Sequence, residues 1–371
     1  MLVSERGRCN NTESMRVAGP DLRPCVDGLP NTAKLKPMKP TLAEIESAAR
    51  VVYEAIGPTP QYCWPLLSAS LGAEVWVKHE NHTPVGSFKI RGGLVYFDHL
   101  ARLPIRPRGV ISATRGNHGQ SIGFAARRHG IPAAVVVPHG NSREKNAAMR
   151  ALGVELIEHG LDFQASLEYA EIVAQERSLH MVPSFDPLLV AGVATYSLEL
   201  FRNLQDIDVA YVPIGLGSGI CGMVAARDAL RLKTQIVGVV SAHAPAYALS
   251  FSARRPVEHP VSTQIADGMA CRTPAPEALE IIWRGVERIV EVTDEELGAA
   301  MRLMFECTHN VCEGAGAAAL AAAQKDGSRI AGRRIALVLS GGNVDREVFA
   351  SILGAEPATE TGGDGSPSVG R

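Results

Sequence analysis

The sequence has no long apolar run, no marked excess of charge of either sign and few aromatic residues. Apolar segments such as 133–137 and 335–339 are the length of a strand, and none approaches the run of about 18 apolar residues that a membrane-spanning helix needs. Lys and Arg number 37 against 39 Asp and Glu, which gives a formal charge of −2. This balance offers no electrostatic reason to expect nucleic acid or a membrane surface as a partner, so we expect a small molecule.

The cysteines show no disulfide or zinc-binding pattern. There are seven of them, an odd number, and no two have Cys-x-x-Cys spacing. This usage is typical of reduced thiols and predicts a cytoplasmic protein. With 371 residues, 46% of them hydrophobic and 20% charged, the composition is that of a globular protein, with length for two or three domains of roughly 150 residues.

Both ends of the sequence are predicted to be flexible. Residues 1–40 form a leader with scattered charge and no apolar segment of the signal-peptide type, and the tail 354–371 is poor in apolar residues. Order is predicted to begin at Thr41, since Thr41-Leu-Ala-Glu44 is a capping box that satisfies the free amides of a first helical turn. A second capping box, Thr293-Asp-Glu-Glu296, predicts another helix start.

Short β-branched runs alternate with helical patterns between these ends. The predicted strands are 74–78, 109–112, 133–137, 155–158, 209–213, 236–240 and 335–339. Such alternation indicates βαβ units, and the uniformly apolar strands indicate parallel sheets covered on both faces. We therefore predict a two-lobed α/β fold with parallel-rich sheets flanked by helices: a large domain, 41–104 and 190–353, and a small domain, 105–189, inserted into it.

A glycine-rich loop follows the predicted strand at 209–213. It contains Gly215, Leu216, Gly217, Ser218 and Gly219 and leads into a helical pattern at 223–230. So many glycines suggest close approach to the backbone, and amides at a helix start form a cradle for phosphate. A tight turn without chemical consequence is the alternative.

The same segment also satisfies the dinucleotide fingerprint GxGxxG, from Gly217 to Gly222. That fingerprint requires an acidic residue about 20 positions later, at the end of the next strand. The strand here ends in Val240-Ser241-Ala242 without a carboxylate. A single phosphate therefore fits better than a whole dinucleotide.

Two further loops at strand ends carry polar groups. Ser112-Ala-Thr114-Arg115-Gly116-Asn117-His118 precedes a helical pattern, and its donors could bind a carboxylate or form an ordinary N-cap. Ser340-Gly-Gly-Asn343 places a hydroxyl at the end of a strand.

Lys89 lies between Phe88 and Ile90, in the run Gly86-Ser87-Phe88-Lys89. Most lysines are solvated surface charges. An apolar setting, however, lowers the pKa of an amine and leaves a neutral nucleophile that can form a Schiff base with an aldehyde. A reactive lysine together with a phosphate cradle is what pyridoxal phosphate requires.

These residues resemble the pyridoxal-phosphate enzymes of the tryptophan-synthase β-like fold (fold type II), and among them the serine/threonine dehydratases, or ammonia-lyases. The resemblance runs from about Ile56 to Asp345. The motifs that carry it are 58–60, 80–93, 116–120, the glycine loop, Ile265-Ala-Asp-Gly268, Glu313-Gly-Ala-Gly316 and Ser340-Gly-Gly-Asn343. It implies a lyase that converts a β-hydroxy amino acid, threonine or serine by default, into a 2-oxo acid and ammonia.

The resemblance also implies residue roles. Lys89 would hold pyridoxal 5'-phosphate as a Schiff base and then remove the α-proton. Phe88 would pack on the cofactor ring, Asn117 would bond its phenolic oxygen, and Ser340 would face its pyridine nitrogen. The residues that would bind the phosphate are Gly215, Leu216, Gly217, Ser218 and Gly219. Those that would receive the substrate carboxylate are Ser87, Thr114, Asn117 and His118.

Three departures from familiar family members narrow these expectations. Arg115 replaces the serine that related racemases use, and a guanidinium cannot act as their acid, so racemisation is not expected. Arg115 would either bind a distal carboxylate, as in 3-hydroxyaspartate, or, as we favour, point to solvent. Val240-Ser241 replaces the Glu-Pro that begins a cation site in relatives, so no metal is expected. No C-terminal sensor domain is evident after Gly354.

Two other functions remain as alternatives at this stage. A nicotinamide-dependent oxidoreductase would use 217–222, and a non-catalytic binder of pyridoxal phosphate would also need Lys89. Phenylserine and 3-hydroxyaspartate are alternative substrates. The resemblance also implies a homodimer, because dimers are common in this family.

Overall fold

Two β-sheets organise residues 39–355, the part of the chain that the computed structural model describes. The strands are β1 (Gln61–Cys63), β2 (Glu74–His79), β3 (Val110–Ala113), β4 (Ala133–Val137), β5 (Glu155–Glu158), β6 (His180–Met181), β7 (Val209–Pro213), β8 (Gln235–Ser241), β9 (Arg288–Val292) and β10 (Arg334–Leu339). The predicted leader, apart from residues 39 and 40, and the tail beyond 355 lie outside the described residues.

Helices connect and cover these strands. They are α1 (Leu42–Tyr53), α2 (Pro65–Leu71), α3 (Lys89–Ala101), α4 (Asn117–His129), α5 (Arg143–Ala151), α6 (Phe163–Glu176), α7 (Pro187–Asn203), α8 (Ser218–Ala229), α9 (Ala246–Ala253), α10 (Pro276–Gly285), α11 (Asp294–Thr308), α12 (Gly314–Asp326) and α13 (Arg346–Gly354). Both predicted capping boxes are confirmed, at Thr41 with Glu44 and at Thr293 with Glu296.

The larger sheet has the strand order β1-β2-β10-β7-β8-β9, and every pairing in it is parallel except that of β1 with β2. The smaller sheet has the order β5-β4-β3-β6 and is entirely parallel. The predicted parallel-rich α/β fold is therefore confirmed. The predicted strands 133–137, 155–158 and 209–213 match the structure to the residue.

The sequence analysis missed three edge strands: the two-residue β6, and also β1 and β9. Two of the three residues of β1 are exposed, and β9 contains only one fully buried residue, Val292. Neither strand has the apolar character that a buried strand requires. The helix after the glycine loop also starts earlier than the predicted 223, at Ser218, because glycines there obscure the helical pattern.

Apolar side chains fill both faces of the larger sheet. One cluster joins α7, α8 and α10 to the sheet, and another joins α11 and α12 to its opposite face. Since β10 lies between β2 and β7, the loops that follow these three strands emerge side by side. None of the helices within residues 39–355 combines the length and apolar character needed to cross a bilayer.

Candidate active site

The loop that carries Lys89 is attached to the end of β10 by backbone hydrogen bonds. The amide of Phe88 donates to the carbonyl of Ser340 at 3.1 Å, and the amide of Gly342 donates to the carbonyl of Gly86 at 2.9 Å. Between them Ser87 forms an isolated antiparallel bridge with Gly341. Two motifs far apart in the sequence thus form one small unit.

Lys89 is the first residue of α3 and lies next to an aromatic ring. Its side chain is partly buried, and Nζ lies 5.2 Å from the centroid of the Phe88 ring. Desolvation lowers the pKa of Lys89 to about 8. Within residues 39–355 no carboxylate forms an ion pair with this amine. Lys89 therefore has the environment of a nucleophilic lysine and not that of a surface charge.

The glycine-rich loop connects β7 to α8 in a compact conformation. Gly217 has φ of +99°, which side chains other than glycine rarely adopt, and a Cβ on Gly215 would lie 2.3 Å from the carbonyl oxygen of Gly268. The hydroxyl of Tyr247 donates to the carbonyl of Leu216 at 2.9 Å. Because α8 begins at Ser218, the amides of its first turn have no acceptor within the helix. The loop has the features of an anion cradle.

The cradle and the lysine are adjacent. A Cβ on Gly219 would lie 3.8 Å from the ring of Phe88, and the hydroxyl of Tyr196 donates to the carbonyl of Gly219 at 3.2 Å. The Tyr196 ring in turn packs edge-on against Phe88, with centroids 6.1 Å apart. The structure therefore brings Phe88, Lys89 and Gly219 together.

Two buried polar groups near Lys89 lack partners, one at the start of α4 and one in the segment before α3. His118 Nε2 is buried without a hydrogen-bond partner in the described structure, and so is the hydroxyl of Ser87. Desolvation, followed by the nearby charge of Lys89, lowers the pKa of His118 to about 3, so its imidazole is neutral. Thr114 is also buried, and its hydroxyl accepts a hydrogen bond from the amide of Gly116 at 3.0 Å.

Ser340 lies at the end of β10, where the sequence analysis placed it. Its side chain is 6% exposed, and its hydroxyl donates to the carbonyl of Ala315 at 3.3 Å. The residue directly after this strand is thus a serine and not an aspartate or glutamate. A group that bound here would meet a neutral hydroxyl.

Arg115 lies in the loop between β3 and α4. The residue is partly buried, and its Nε is shielded from solvent with no hydrogen-bond partner within the described residues. Its guanidinium forms no ion pair with any described carboxylate. A buried donor without a partner is costly and marks a place where an acceptor would bind well.

Four residues to which the sequence analysis assigned no role are linked to Asn117, directly or through Glu313. Asn117 Nδ2 donates to Glu313 Oε1 at 2.6 Å, and Asn343 Nδ2 donates to Asn117 Oδ1 at 2.8 Å. Lys145 Nζ lies 3.1 Å from Glu313 Oε2 and 2.7 Å from Asp267 Oδ2. The motifs with Asp267, Glu313 and Asn343 were noticed as family signatures. Only Glu313 has a signal in the sequence that could have marked it as a candidate site residue: its carboxylate directly precedes an alanine-rich helix.

Carboxylates keep Lys145 charged despite its burial. Burial by itself would lower the pKa of Lys145, but the carboxylates of Glu313 and Asp267 more than offset it and raise that pKa. Burial raises the pKa of Glu313, while Lys145 opposes the shift. Lys145 is therefore a permanent cation at this site, unlike Lys89.

The residues present fit pyridoxal phosphate. A desolvated amine can react with its aldehyde, the first turn of α8 can bind its phosphate, and the buried hydroxyl of Ser87 and ring of His118 retain unused hydrogen-bonding capacity for a substrate. In the described part of the chain, no group of three or more His, Cys, Asp or Glu residues is arranged to hold a metal ion.

Comparisons with known proteins agree with this arrangement. L-threonine ammonia-lyase of Thermotoga maritima is 32% identical over 314 residues, which are 84% of this chain and 78% of the relative. The crystal structure of a threonine deaminase from T.th. has a TM-score of 0.76 at 32% identity and covers 82% of this chain and 99% of its own. Maize serine racemase has a TM-score of 0.78 at 25% identity, over 84% and 96% of the two chains. A family model described as pyridoxal-phosphate dependent enzyme matches residues 52–341, and the chain therefore belongs to the family of pyridoxal-phosphate dependent enzymes.

Proposed function

We propose that this protein is a pyridoxal-phosphate dependent ammonia-lyase that converts L-threonine or L-serine into a 2-oxo acid and ammonia. The observation that carries the proposal is the desolvated amine of Lys89, which no described carboxylate neutralises and which lies beside the glycine loop. The names of the similar proteins support the reaction and the substrate. When bound, the cofactor supplies an electron sink for the negative charge that forms at the substrate Cα.

Lys89 performs two tasks in this proposal. Its amine, with a pKa lowered to about 8, is neutral often enough near neutral pH to attack the cofactor aldehyde. The same nitrogen, Nζ, would then serve as the base that accepts the substrate α-proton. The Phe88 ring, 5.2 Å from Nζ, keeps water away from the amine.

The remaining residues bind and orient. Amides of Gly215, Leu216, Gly217, Ser218 and Gly219 hold the phosphate, Phe88 packs on the cofactor ring and Asn117 bonds its phenolic oxygen. Ser87, Thr114, Asn117 and His118 receive the substrate carboxylate; the unpaired Ser87 hydroxyl, a free donor, supports this assignment.

Ser340 faces the pyridine nitrogen in this proposal and leaves it unprotonated. A neutral hydroxyl stabilises negative charge in the ring less than a salt bridge would. Ser340 would therefore favour departure of the substrate β-hydroxyl over return of a proton to Cα.

The test combines a spectrum with product analysis. Purified protein should show the visible absorption band of lysine-bound pyridoxal phosphate and should release oxo acid from threonine or serine. Absence of the band, even after addition of cofactor, would contradict the proposal. A band without oxo acid would identify a non-catalytic binder. We propose that no metal takes part, so chelator should leave the activity unchanged.

A second candidate substrate is 3-hydroxyaspartate, and Arg115 is the observation that favours it. Its buried Nε lacks an acceptor, which a second substrate carboxylate could supply. If so, Arg115→Met should lower kcat/KM for 3-hydroxyaspartate by about tenfold or more and leave threonine nearly unaffected. Phenylserine, which carries no second carboxylate, should be equally insensitive and serves as the control. Equal losses for all three substrates would remove the special role of Arg115.

We also propose a cytoplasmic homodimer built from the large domain, 41–104 and 190–353, and the small domain, 105–189. All strands of the smaller sheet fall between Val110 and Met181, which supports the domain boundaries. Light scattering of the purified protein would test the assembly.

A further inference from the structure

The side-chain amide of Asn117 is held at both ends by other side chains. Its oxygen accepts from Asn343 Nδ2 at 2.8 Å, and its nitrogen donates to Glu313 Oε1 at 2.6 Å. The two ends of an amide are chemically opposite, since the oxygen only accepts and the NH₂ only donates. The partners therefore decide which end faces which way.

The orientation of Asn343 is set by the backbone. Asn343 Nδ2 also donates to the carbonyl of Val85 at 2.8 Å. A backbone carbonyl can only accept, so the NH₂ group of Asn343 must face it. Its second N–H then points at Asn117, so the side-chain oxygen of Asn117 must accept this hydrogen bond.

Glu313 fixes the other end of Asn117. Its Oε1 accepts one N–H of Asn117 while its Oε2 pairs with Lys145 at 3.1 Å, and Asp267 holds Lys145 from the other side. A proton on Oε2 would confront the ammonium of Lys145 with a second donor. The ion pair therefore keeps Glu313 an acceptor toward Asn117.

Two glycines leave room for these partners. A Cβ on Gly86 would lie 2.5 Å from Asn343 Oδ1, and a Cβ on Gly341 would lie 2.6 Å from Glu313 Oε1. Any side chain at either position would displace one of the groups that orient Asn117. A directional hydrogen-bond relay therefore runs from Val85 through Asn343 and Asn117 to Glu313, and it ends in the ion pair of Glu313 with Lys145.

We infer that Asn343 and Glu313 are positioning residues that turn Asn117 so that its remaining N–H, and not its oxygen, is presented to the phenolic oxygen of the cofactor. The inference rests on the proposed role of Asn117 as the residue that bonds this oxygen. A donor there stabilises the ionised oxygen, whereas an amide oxygen would repel it.

Substitution of Glu313 tests the relay through Lys145. In Glu313→Gln the new amide turns its oxygen to the ammonium of Lys145, so its NH₂ opposes the NH₂ of Asn117. We expect affinity for pyridoxal phosphate, measured by equilibrium titration, to fall by about tenfold or more. We also expect absorption to move from the visible band toward the near-ultraviolet form with an un-ionised phenolic oxygen. Glu306→Gln, on the exposed part of α11, is the matched control.

A double variant separates orientation from mere packing. In Glu313→Gln/Lys145→Met the amide is free to turn its oxygen back to Asn117, so affinity and visible absorption should recover relative to the single variant. A double variant no better than the single one would overturn the inference, as would a single variant with unchanged affinity and spectrum.

Asn343→Asp provides an independent test if Glu313→Gln fails to fold, as judged by circular dichroism. A carboxylate at 343 would force Asn117 to turn its NH₂ toward it and its oxygen toward the cofactor. The same loss of affinity and visible absorption is expected, and unchanged values would overturn the inference. A parent protein that binds the cofactor but releases no oxo acid would contradict the proposed function alone, because the relay is judged by binding and absorption.

Discussion

Lys89 and Lys145 are two lysines of one site with opposite environments. Lys89 has an aromatic neighbour and no described carboxylate partner, and desolvation lowers its pKa to about 8. Lys145 is buried between Asp267 and Glu313, which raise its pKa despite the burial. Burial alone therefore does not decide what a lysine does: without carboxylates it becomes a nucleophile, and with them it becomes a fixed charge.

The largest effect should come from Lys89→Ala. We expect turnover of threonine to fall by about 10⁴-fold or more, because both the attacking amine and the base are lost. The visible cofactor band should disappear at the same time. Oxo-acid formation and the absorption spectrum measure the two losses. Retained turnover would contradict the catalytic role proposed for Lys89.

Lys145→Met should damage stability instead. Removing the cation leaves Glu313 buried without its partner, and such a loss costs about 3–5 kcal/mol in the free energy of unfolding. Urea denaturation of the cofactor-free protein measures it, with exposed Lys233→Met as the control. Lys89→Met should leave stability unchanged or raise it, since it removes a desolvated amine. Equal losses for the two variants would abolish the contrast.

A third buried lysine, Lys78, sharpens the comparison from an intermediate position. Its Nζ pairs with Glu199 at 2.5 Å, yet desolvation outweighs the carboxylates of Glu80 and Glu199 and lowers its pKa. Arg91, which shares Glu199, adds a smaller lowering effect. In Lys78→Met, Glu199 would keep Arg91 as a partner. We therefore expect a loss of about 1.5–3 kcal/mol in urea denaturation, smaller than that of Lys145→Met. A larger loss would mean that Arg91 cannot compensate.

A pH dependence of stability should separate Lys89 from Lys145. Its pKa is lowered from the ordinary 10.5 to about 8, so between these values the folded cofactor-free protein binds fewer protons than the unfolded chain. Stability should then rise with pH across this window. The raised pKa of Lys145 makes its contribution constant in this window; the contribution declines above 10.5 and is lost as the pH rises through the folded pKa.

Urea denaturation between pH 8 and 10.5 measures this slope as the difference between the parent protein and Lys89→Met, which cancels other titrating groups. The rate of cofactor uptake should show the same midpoint, about 8. An uptake midpoint near 10.5 would mean that the amine is solvated.

Most of the secondary structure could be predicted from the sequence because the inner strands are covered on both faces. Strands such as Ala133–Val137 are apolar throughout, and the capping boxes at Thr41 and Thr293 mark helix starts by local hydrogen bonds. The edge strands β1 and β9 were missed because one of their sides meets solvent, which removes the apolar pattern.

The residues of the candidate site also differ in whether the sequence around them carries a signal. Lys89 and the glycine loop have local signals, a lysine among apolar neighbours and a cluster of glycines before a helix. Glu313 and Lys145 have none, because their significance is a contact across 168 residues of chain. The environment of Arg115, partly buried and unpaired, was likewise unpredictable from its neighbours in the sequence.

By itself the sequence determined the βαβ alternation and singled out Lys89 and the glycine loop as candidates, since each depends on residues that are close in the chain. Only the tertiary structure decided which buried amine stays free of carboxylates and which way the Asn117 amide faces. Both depend on charges and acceptors that arrive from distant segments, and their distances are fixed only when the two sheets and their loops have packed together.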